Sequence, residues 1–232
     1  MILPDINAGC SLADSAPPDK FKEWVDSHSD HTVISYINCS IEVKAMSDII
    51  CISSNAEKII NSLSYDEKII FAPDKHLGSY LKKKTGRNLL LWNGSCQEHE
   101  IFSEKELVRL KTRYPQAMVL AHPECNENIL LHSDHIGSTT SIIKFGHKSD
   151  RKEFIIATEP EVIHLMEVQN PEKIFIPLPR NDGCACNECP HMRLNTLEKM
   201  VEALEKMKPE ITLPEDLRIQ ALIPLEKMLA LS

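Results

Sequence analysis

The sequence lacks the features that mark two common classes of protein. None of its apolar runs approaches the roughly 18 residues that a membrane-spanning helix needs, and residues 1–5 have no basic flank or apolar stretch typical of a signal peptide. Clustered Lys and Arg are scarce too, because the formal net charge is -8 and the one basic run, residues 82–84, falls in a predicted helix. These absences argue against a membrane protein and a broad nucleic-acid surface, and we expect a cytoplasmic location.

The chain has eight cysteines, which is the first positive feature of its composition. In a reducing compartment thiols are better explained as metal ligands or buried core residues than as disulfides. Cys51 lies in an apolar predicted strand, and Cys39 and Cys125 follow polar residues, so we expect these three to be packing residues. The candidate ligands are then Cys10, Cys96, Cys184, Cys186 and Cys189.

Short β-rich apolar runs alternate with helical patterns, which predicts an α/β fold. Ser103 with Glu106 forms a capping box at a helix start, and Gly86 ends a predicted helix over residues 77–85. After Pro190 the pattern is helical alone, over residues 196–207 and 216–231. The predicted strands cover residues 31–37, 48–52, 68–72, 88–92, 117–121, 153–157 and 173–176.

An internal repeat organises the chain, with a period of 86 residues. Ser-Asp follows eight residues after the cysteine in both Tyr36-Ile37-Asn38-Cys39 and its counterpart His122-Pro123-Glu124-Cys125. Cys10 and Cys96 are separated by the same period (96 − 10 = 86). Repeats of this size are whole supersecondary units, so we predict a pseudo-three-fold set of α/β/α units whose first member is truncated. The predicted divisions are residues 1–20 for the remnant of the first unit, 21–105 and 106–192 for the second and third, and 193–232 for C-terminal helices.

Each unit places cysteine in a loop after a predicted strand: Cys10, Cys96, and the cluster at residues 184–189. Three thiolates without an obvious fourth suit a [4Fe–4S] cluster that keeps one iron open for substrate. A structural zinc ion is the alternative, bound by Cys184, Cys186 and Cys189 with His191 or His99. Cysteine spacing alone leaves both hypotheses open.

Two pairs of polar residues occupy equivalent positions in the repeat, Tyr36 with Asn38 and His122 with Glu124. Side chains at i and i+2 of an extended segment point to the same side, so each pair can face one shared cavity. Tyr, His and Glu can transfer protons, which favours a catalytic over a purely structural role. His99 follows Cys96 by three residues and can act on a group bound there.

Hydroxyl residues mark two predicted helix starts, at Ser53-Ser54-Asn55 and at Gly137-Ser138-Thr139-Thr140. The exposed N–H groups and positive dipole end of a helix start, with hydroxyl side chains, bind carboxylate or phosphate. Simple helix capping explains one such site equally well. The recurrence of both sites in the repeat favours an anionic substrate.

In their order along the chain these motifs resemble those of the quinolinate synthase family. The matching stretches include residues 8–14, 36–38, 51–56, 94–100, 122–125, 137–139 and 189–192. The resemblance implies a transferase of NAD biosynthesis that condenses iminoaspartate with dihydroxyacetone phosphate to quinolinate, releasing phosphate and water. It also implies a [4Fe–4S] cofactor and L-aspartate oxidase as the supplier of iminoaspartate.

The same resemblance implies roles for individual residues. Cys10, Cys96 and Cys189 are the implied cluster ligands, which leaves Cys184 and Cys186 as non-ligands. The implied catalytic residues are Tyr36, His99, His122 and Glu124. The implied substrate-binding residues are Tyr36, Asn38, Ser53, His122, Glu124, Ser138 and Thr139, with Met192 nearby. Family members carry a further His and Tyr in an opening unit that this sequence lacks, so the alternative is an inactive remnant or a non-catalytic metal-binding protein holding zinc or a cluster.

Overall fold

The computed structural model describes residues 1–180 and 188–232. These residues form an α/β fold with two parallel four-stranded sheets, which confirms the predicted fold class. Sheet I contains β1 (Thr32–Tyr36), β2 (Ile49–Cys51), β3 (Ile69–Ala72) and β4 (Leu89–Leu91). Sheet II contains β5 (Met118–Ala121), β6 (His135–Ile136), β7 (Glu153–Ala157) and β8 (Ile174–Pro177).

Helices connect the strands of both sheets and complete the described C-terminal region. They are α1 (Ser11–Asp14), α2 (Pro18–Asp26), α3 (Ile41–Ala45), α4 (Ala56–Ser62), α5 (Lys75–Thr85), α6 (Gln97–Glu100), α7 (Glu104–Arg113), α8 (Glu127–Leu131), α9 (Thr139–Lys148), α10 (Glu161–Gln169), α11 (Leu197–Lys206) and α12 (Glu215–Leu231). A short 3₁₀ turn covers Met192–Leu194. Within the described ranges, no helix combines the length and the apolarity needed to cross a membrane.

The two sheets are built alike, with strand orders β2-β1-β3-β4 and β6-β5-β7-β8. In sheet I the backbone N–H of Val33 donates to the Asp48 carboxylate at 2.8 Å, and in sheet II that of Val119 donates to Asp134 at 2.8 Å. Both pairs differ by the same interval (119 − 33 = 86; 134 − 48 = 86). The repeat read from the sequence is therefore a structural repeat as well.

Every strand predicted from the sequence is present, within one or two residues at each end. The prediction omitted β6, which has two half-buried residues and is too short to show a periodic pattern. The repeat could have located it, since Ile49 opens β2 and 49 + 86 = 135. The helix expected to open at Ser53 begins instead at Ala56, because Asn55 turns back to accept a hydrogen bond from the Ile52 N–H.

Helix ends follow the predicted local chemistry. Ser103 accepts from the Glu106 N–H as the start of α7, and Gly86 adopts the left-handed φ of 68° that ends α5. Ser40 and Asn126 occupy equivalent positions and cap α3 and α8 by accepting from Val43 and Ile129. Equivalent caps fix the start of equivalent helices, so the loops before them leave each sheet in the same way.

The inner strands β1, β3, β5 and β7 are largely buried on both faces, as expected for parallel sheets covered by helices. Ile34 in β1 and Leu120 in β5 are fully buried in their respective cores. Full burial of such a side chain contributes about 1.5–3 kcal/mol. One feature is specific to sheet I: α12 packs on β2 and α3, and its Met228 joins the core there.

Candidate active site and metal centre

The carboxyl ends of both sheets face one cavity of about 690 Å³. This is where α/β folds place their sites, because loops from several parallel strands converge there. The cavity contains nearly all residues selected from the sequence. Its lining includes Cys10, Cys96, Cys189, Tyr36, Asn38, Ser53, His99, His122, Glu124, Thr139 and Met192.

Three thiols reach this cavity from widely separated parts of the chain. Cys10 precedes α1, Cys96 precedes α6, and Cys189 lies just before the 3₁₀ turn. All three are free thiols, and burial raises the pKa of Cys10. Thiols gathered around a space of this size fit the donor set of an iron–sulfur cluster.

The other cysteines of the sequence analysis have different surroundings. Cys51 and Cys125 are fully buried in the core, and the Cys125 thiol donates to the Ala157 carbonyl at 3.3 Å. Cys39 is buried but also lines the cavity. Cys184 and Cys186, the two other members of the alternative zinc site, lie outside the described residues.

A buried acidic side chain holds the backbone at one of the proposed ligands. Asp74 is fully buried after β3 and accepts from the N–H groups of Leu77 at 2.7 Å and Cys96 at 3.3 Å. Burial and the charge of Glu124 raise the pKa of Asp74 to about 7. Glu159 follows β7 and accepts from the Glu161 N–H at 2.8 Å. Asp74 therefore fixes where Cys96 enters the cavity.

Glu124 is the centre of the polar network. Its carboxylate lies 3.2 Å from His99 Nδ1 and also interacts with the Tyr36 hydroxyl, which in turn interacts with Ser53. Burial opposes ionisation of Glu124, but the charge and hydrogen bond of His99, with His122 and Tyr36, lower its pKa to about 2. Glu124 is therefore a buried group that its neighbours hold in the carboxylate form.

The two histidines of the site have opposite properties. Burial opposes protonation of His99, but its contacts with the Cys96 thiol and Glu124 raise its pKa well above the usual value. Burial lowers the pKa of His122 to about 4. The charge of His99 acts in the same direction, and the charge of Glu124 opposes it. The backbone N–H of Glu124 donates to His122 Nδ1 at 3.4 Å. The pair thus combines a charged and a neutral imidazole, with ring centres 5.0 Å apart.

The hydroxyl residues divide between two cavities. Ser53 and Thr139 line the 690 Å³ cavity, and Thr139 is the first residue of α9. Ser138 caps α9 by accepting from the Ser141 N–H at 3.3 Å and lines a neighbouring cavity of about 570 Å³. Ser53 lines both cavities, so the hydroxyl residues selected from the sequence are divided between two neighbouring spaces.

Thr158 was missed in the sequence analysis. It is buried directly after β7, and its hydroxyl lies 3.2 Å from His99 Nε2. The signal that could have found it is its position at the carboxyl end of a predicted strand, next to Glu159. Glu98 and Glu159 also line the cavity and were likewise not selected.

The fold and this cavity together are typical of an α/β enzyme with a metal centre. Residues 1–230 match the family model described as quinolinate synthetase A protein. The quinolinate synthase of Synechocystis sp. is 59% identical over 232 residues, which cover all of this chain and 73% of that protein. Those of Chloroherpeton thalassium and Gloeothece citriformis are 57% and 56% identical, each covered over 72% of its length. The chain belongs to the quinolinate synthase family.

Proposed function

We propose that this chain condenses iminoaspartate with dihydroxyacetone phosphate to quinolinate, phosphate and water, as a step of NAD biosynthesis. L-aspartate oxidase is the proposed source of iminoaspartate. The observation that carries the proposal is the meeting of Cys10, Cys96 and Cys189 with ionised Glu124 in one cavity. The names of the relatives support the same reaction.

The proposed cofactor is a [4Fe–4S] cluster held by Cys10, Cys96 and Cys189. When bound, such a cluster with one open iron supplies a Lewis acid for the loss of a hydroxyl group as water. Asp74 accepts from the backbone N–H of Cys96, so the chain positions this thiol through a buried acidic side chain. Cys39 shares the cavity but is not a proposed ligand.

Glu124 and His122 are the proposed proton-transfer residues. Glu124 is ionised at neutral pH and can take a proton from a substrate carbon or nitrogen. His122, held neutral by burial, lies beside it and can pass a proton without adding charge to the cavity. The Tyr36 hydroxyl and His99 hold Glu124 in place from two other elements.

The substrates carry carboxylate and phosphate groups, and we assign these to Ser53, Ser138, Thr139 and Asn38. Thr139 begins α9, where unpaired backbone N–H groups and the helix dipole favour an anion. Ser53 also contacts Tyr36, so anion binding and the proton-transfer network meet at one residue. Asn38 lines the cavity as a neutral amide that can orient a substrate carboxylate.

Anaerobic reconstitution with iron and sulfide tests this proposal. We expect about four iron atoms per chain, together with quinolinate formation from the two substrates. Separate replacement of Cys10, Cys96 and Cys189 by Ser should abolish the cluster absorbance. Cys39→Ser, which removes a thiol from the same cavity, is the matched control and should keep the cluster. Full loading without turnover would instead support the non-catalytic metal-binding alternative.

A further inference from the structure

Three metal-binding atoms from Cys96, His99 and Glu124 lie around a single point in the cavity. His99 Nδ1 is 3.2 Å from the Cys96 sulfur and 3.2 Å from the Glu124 carboxylate, and the three ligand atoms all lie within 4.8 Å of one another. Ligands at about 2.0–2.3 Å from one tetrahedral zinc ion are separated by roughly 3.3–3.6 Å. The two separations from His99 Nδ1 are therefore close to those of ligands sharing one ion, and the third, between the Cys96 sulfur and the Glu124 carboxylate, is within 4.8 Å.

His99 also has the surroundings expected of a metal ligand. A single N–H at Nδ1 must be shared between the sulfur and the carboxylate, whereas a cation between the three atoms would be bound by all of them. At the opposite side of the ring, Nε2 lies 3.2 Å from the buried Thr158 hydroxyl. Metal-binding histidines usually donate their second ring N–H to such an oxygen, which fixes the ring.

We propose that Cys96, His99 and Glu124 form a mononuclear site for a divalent transition metal such as Zn²⁺, and that this site is filled when the iron–sulfur cluster is absent. Cys96 and His99 each release one proton to solvent, so that Cys96 binds as thiolate and His99 binds through Nδ1 as a neutral imidazole, while Glu124 binds as carboxylate. Three protein ligands leave a fourth position open to water. Metal binding at this site does not depend on the proposed reaction.

The mononuclear site also affects assembly of the iron–sulfur cluster, a consequence that rests on the proposed function. Cys96 is shared by the zinc site and the proposed cluster site, so one thiolate cannot serve both. Zinc bound to Cys96 therefore blocks cluster assembly, while Cys10 and Cys189 remain free. This site differs from the zinc site considered from the sequence, since it uses neither Cys184, Cys186 nor Cys189.

Titration of the iron-free protein with Co²⁺ under anaerobic conditions tests the site. We expect one Co²⁺ per chain, with the sulfur-to-cobalt charge-transfer band and intense visible absorption of a tetrahedral thiolate site. Cys96→Ser should abolish the charge-transfer band, and His99→Asn or Glu124→Gln should weaken binding. Cys10→Ser and Cys189→Ser are matched controls, because they remove thiols from the same cavity and should leave the spectrum unchanged.

The Thr158 hydroxyl provides a finer test. Thr158→Val keeps the shape of the side chain but removes the oxygen facing His99, and loss of such a contact weakens metal affinity about 10–100-fold. Thr158→Ser should restore it. The site is refuted if Cys189→Ser abolishes the cobalt spectrum while Cys96→Ser keeps it, or if cobalt binding is unaffected by all three ligand substitutions. Far-ultraviolet circular dichroism of each variant identifies any that fail to fold, and the remaining ligand variants then decide.

Competition is measured by loading the protein with Zn²⁺ before reconstitution with iron and sulfide. We expect iron uptake to fall at least about 10-fold relative to zinc-free protein at a saturating zinc excess. Equal iron uptake in both samples would overturn the blocking step. If no sample takes up a cluster, the proposed function fails while the cobalt titration still decides the mononuclear site.

Discussion

The repeat units that contain sheets I and II are alike even in their buried cations, since each has one at the equivalent position. Arg87 donates to the backbone carbonyls of Ile60, Leu63, Ser64 and Glu67 after α4 in sheet I. Lys173, at the equivalent position (173 − 87 = 86), donates to the carbonyls of Gly146, His147 and Ser149 at the end of α9 in sheet II. Both cations satisfy carbonyls at a helix end, so the same structural need is met by two different residues.

At the carboxyl ends of the strands the two sheets differ. After β1, sheet I presents Tyr36 and Asn38, whereas after β5 sheet II presents His122 and Glu124. Burial raises the pKa of Tyr36 far above its usual value and Asn38 has no titratable group, whereas His122 and Glu124 in sheet II have pKa values of about 4 and about 2. The comparison teaches that the fold is duplicated, while both proposed proton-transfer residues belong to one copy.

The largest expected effect on turnover comes from replacing the polar side chain at one of two equivalent positions, Glu124 in sheet II. Glu124→Gln removes the proton acceptor but keeps the shape, so we expect turnover to fall about 100–10,000-fold with the cluster spectrum unchanged. Asn38→Ala, at the equivalent position of sheet I (124 − 38 = 86), removes only a hydrogen bond and should cost about 10-fold. Steady-state quinolinate formation by the reconstituted variants measures both. Equal losses at the two positions would contradict the division of roles.

The cores of the two sheets should respond alike. Ile34→Ala and Leu120→Ala truncate fully buried side chains at equivalent positions (120 − 34 = 86), and each should lower the free energy of unfolding by about 2–5 kcal/mol. Urea denaturation followed by circular dichroism gives both values. A loss below about 1 kcal/mol at one position would show that the two cores are not equally packed.

Replacing the buried cations should cost somewhat less. Arg87→Met and Lys173→Met keep the apolar stems but leave the carbonyls without their charged donors, so we expect about 2–3 kcal/mol lost in each case. Arg87→Lys is the control, since sheet II already uses lysine for this purpose. If Arg87→Lys destabilises as much as Arg87→Met, the equivalence of the two cations is wrong.

The smallest effect is expected at an exposed ion pair that connects the sheets. Lys83 on α5 pairs with Glu127 on α8, and both side chains are mostly exposed. Lys83→Ala should therefore change the free energy of unfolding by less than about 1 kcal/mol, and less still at high salt. A double-mutant cycle with Glu127→Ala measures the pair. A coupling well above that value would mean that this contact helps to hold the two sheets together.

Much of the fold could be predicted because the repeat is written in the sequence. Apolar strands, Ser103 at a helix start and Gly86 at a helix end each have a local pattern with a physical cause. Cys10 and Cys96 are one repeat period apart, which predicted that they would occupy equivalent loops and face the same cavity. β6 escaped detection because two residues show no periodicity.

The contacts that complete the site were less accessible from the sequence. Thr158 is a single residue after a strand, and only tertiary packing brings it to His99. Asp74 holds the backbone of Cys96, which lies 22 residues further along the chain (96 − 74 = 22), a relation that no local pattern contains. Ser138 lines a second cavity because of the direction in which α9 begins, and the sequence does not contain that direction.

The separation of the three cavity cysteines along the chain has a thermodynamic consequence. Cys10, Cys96 and Cys189 are 86 and 93 residues apart (96 − 10 = 86; 189 − 96 = 93). A group bound to all three closes two long loops and so acts as a cross-link, removing conformations from the unfolded chain. Loading of the proposed iron–sulfur cluster would then raise the melting temperature of this protein, whereas an ion held by residues 96–124 would tie together a far shorter stretch.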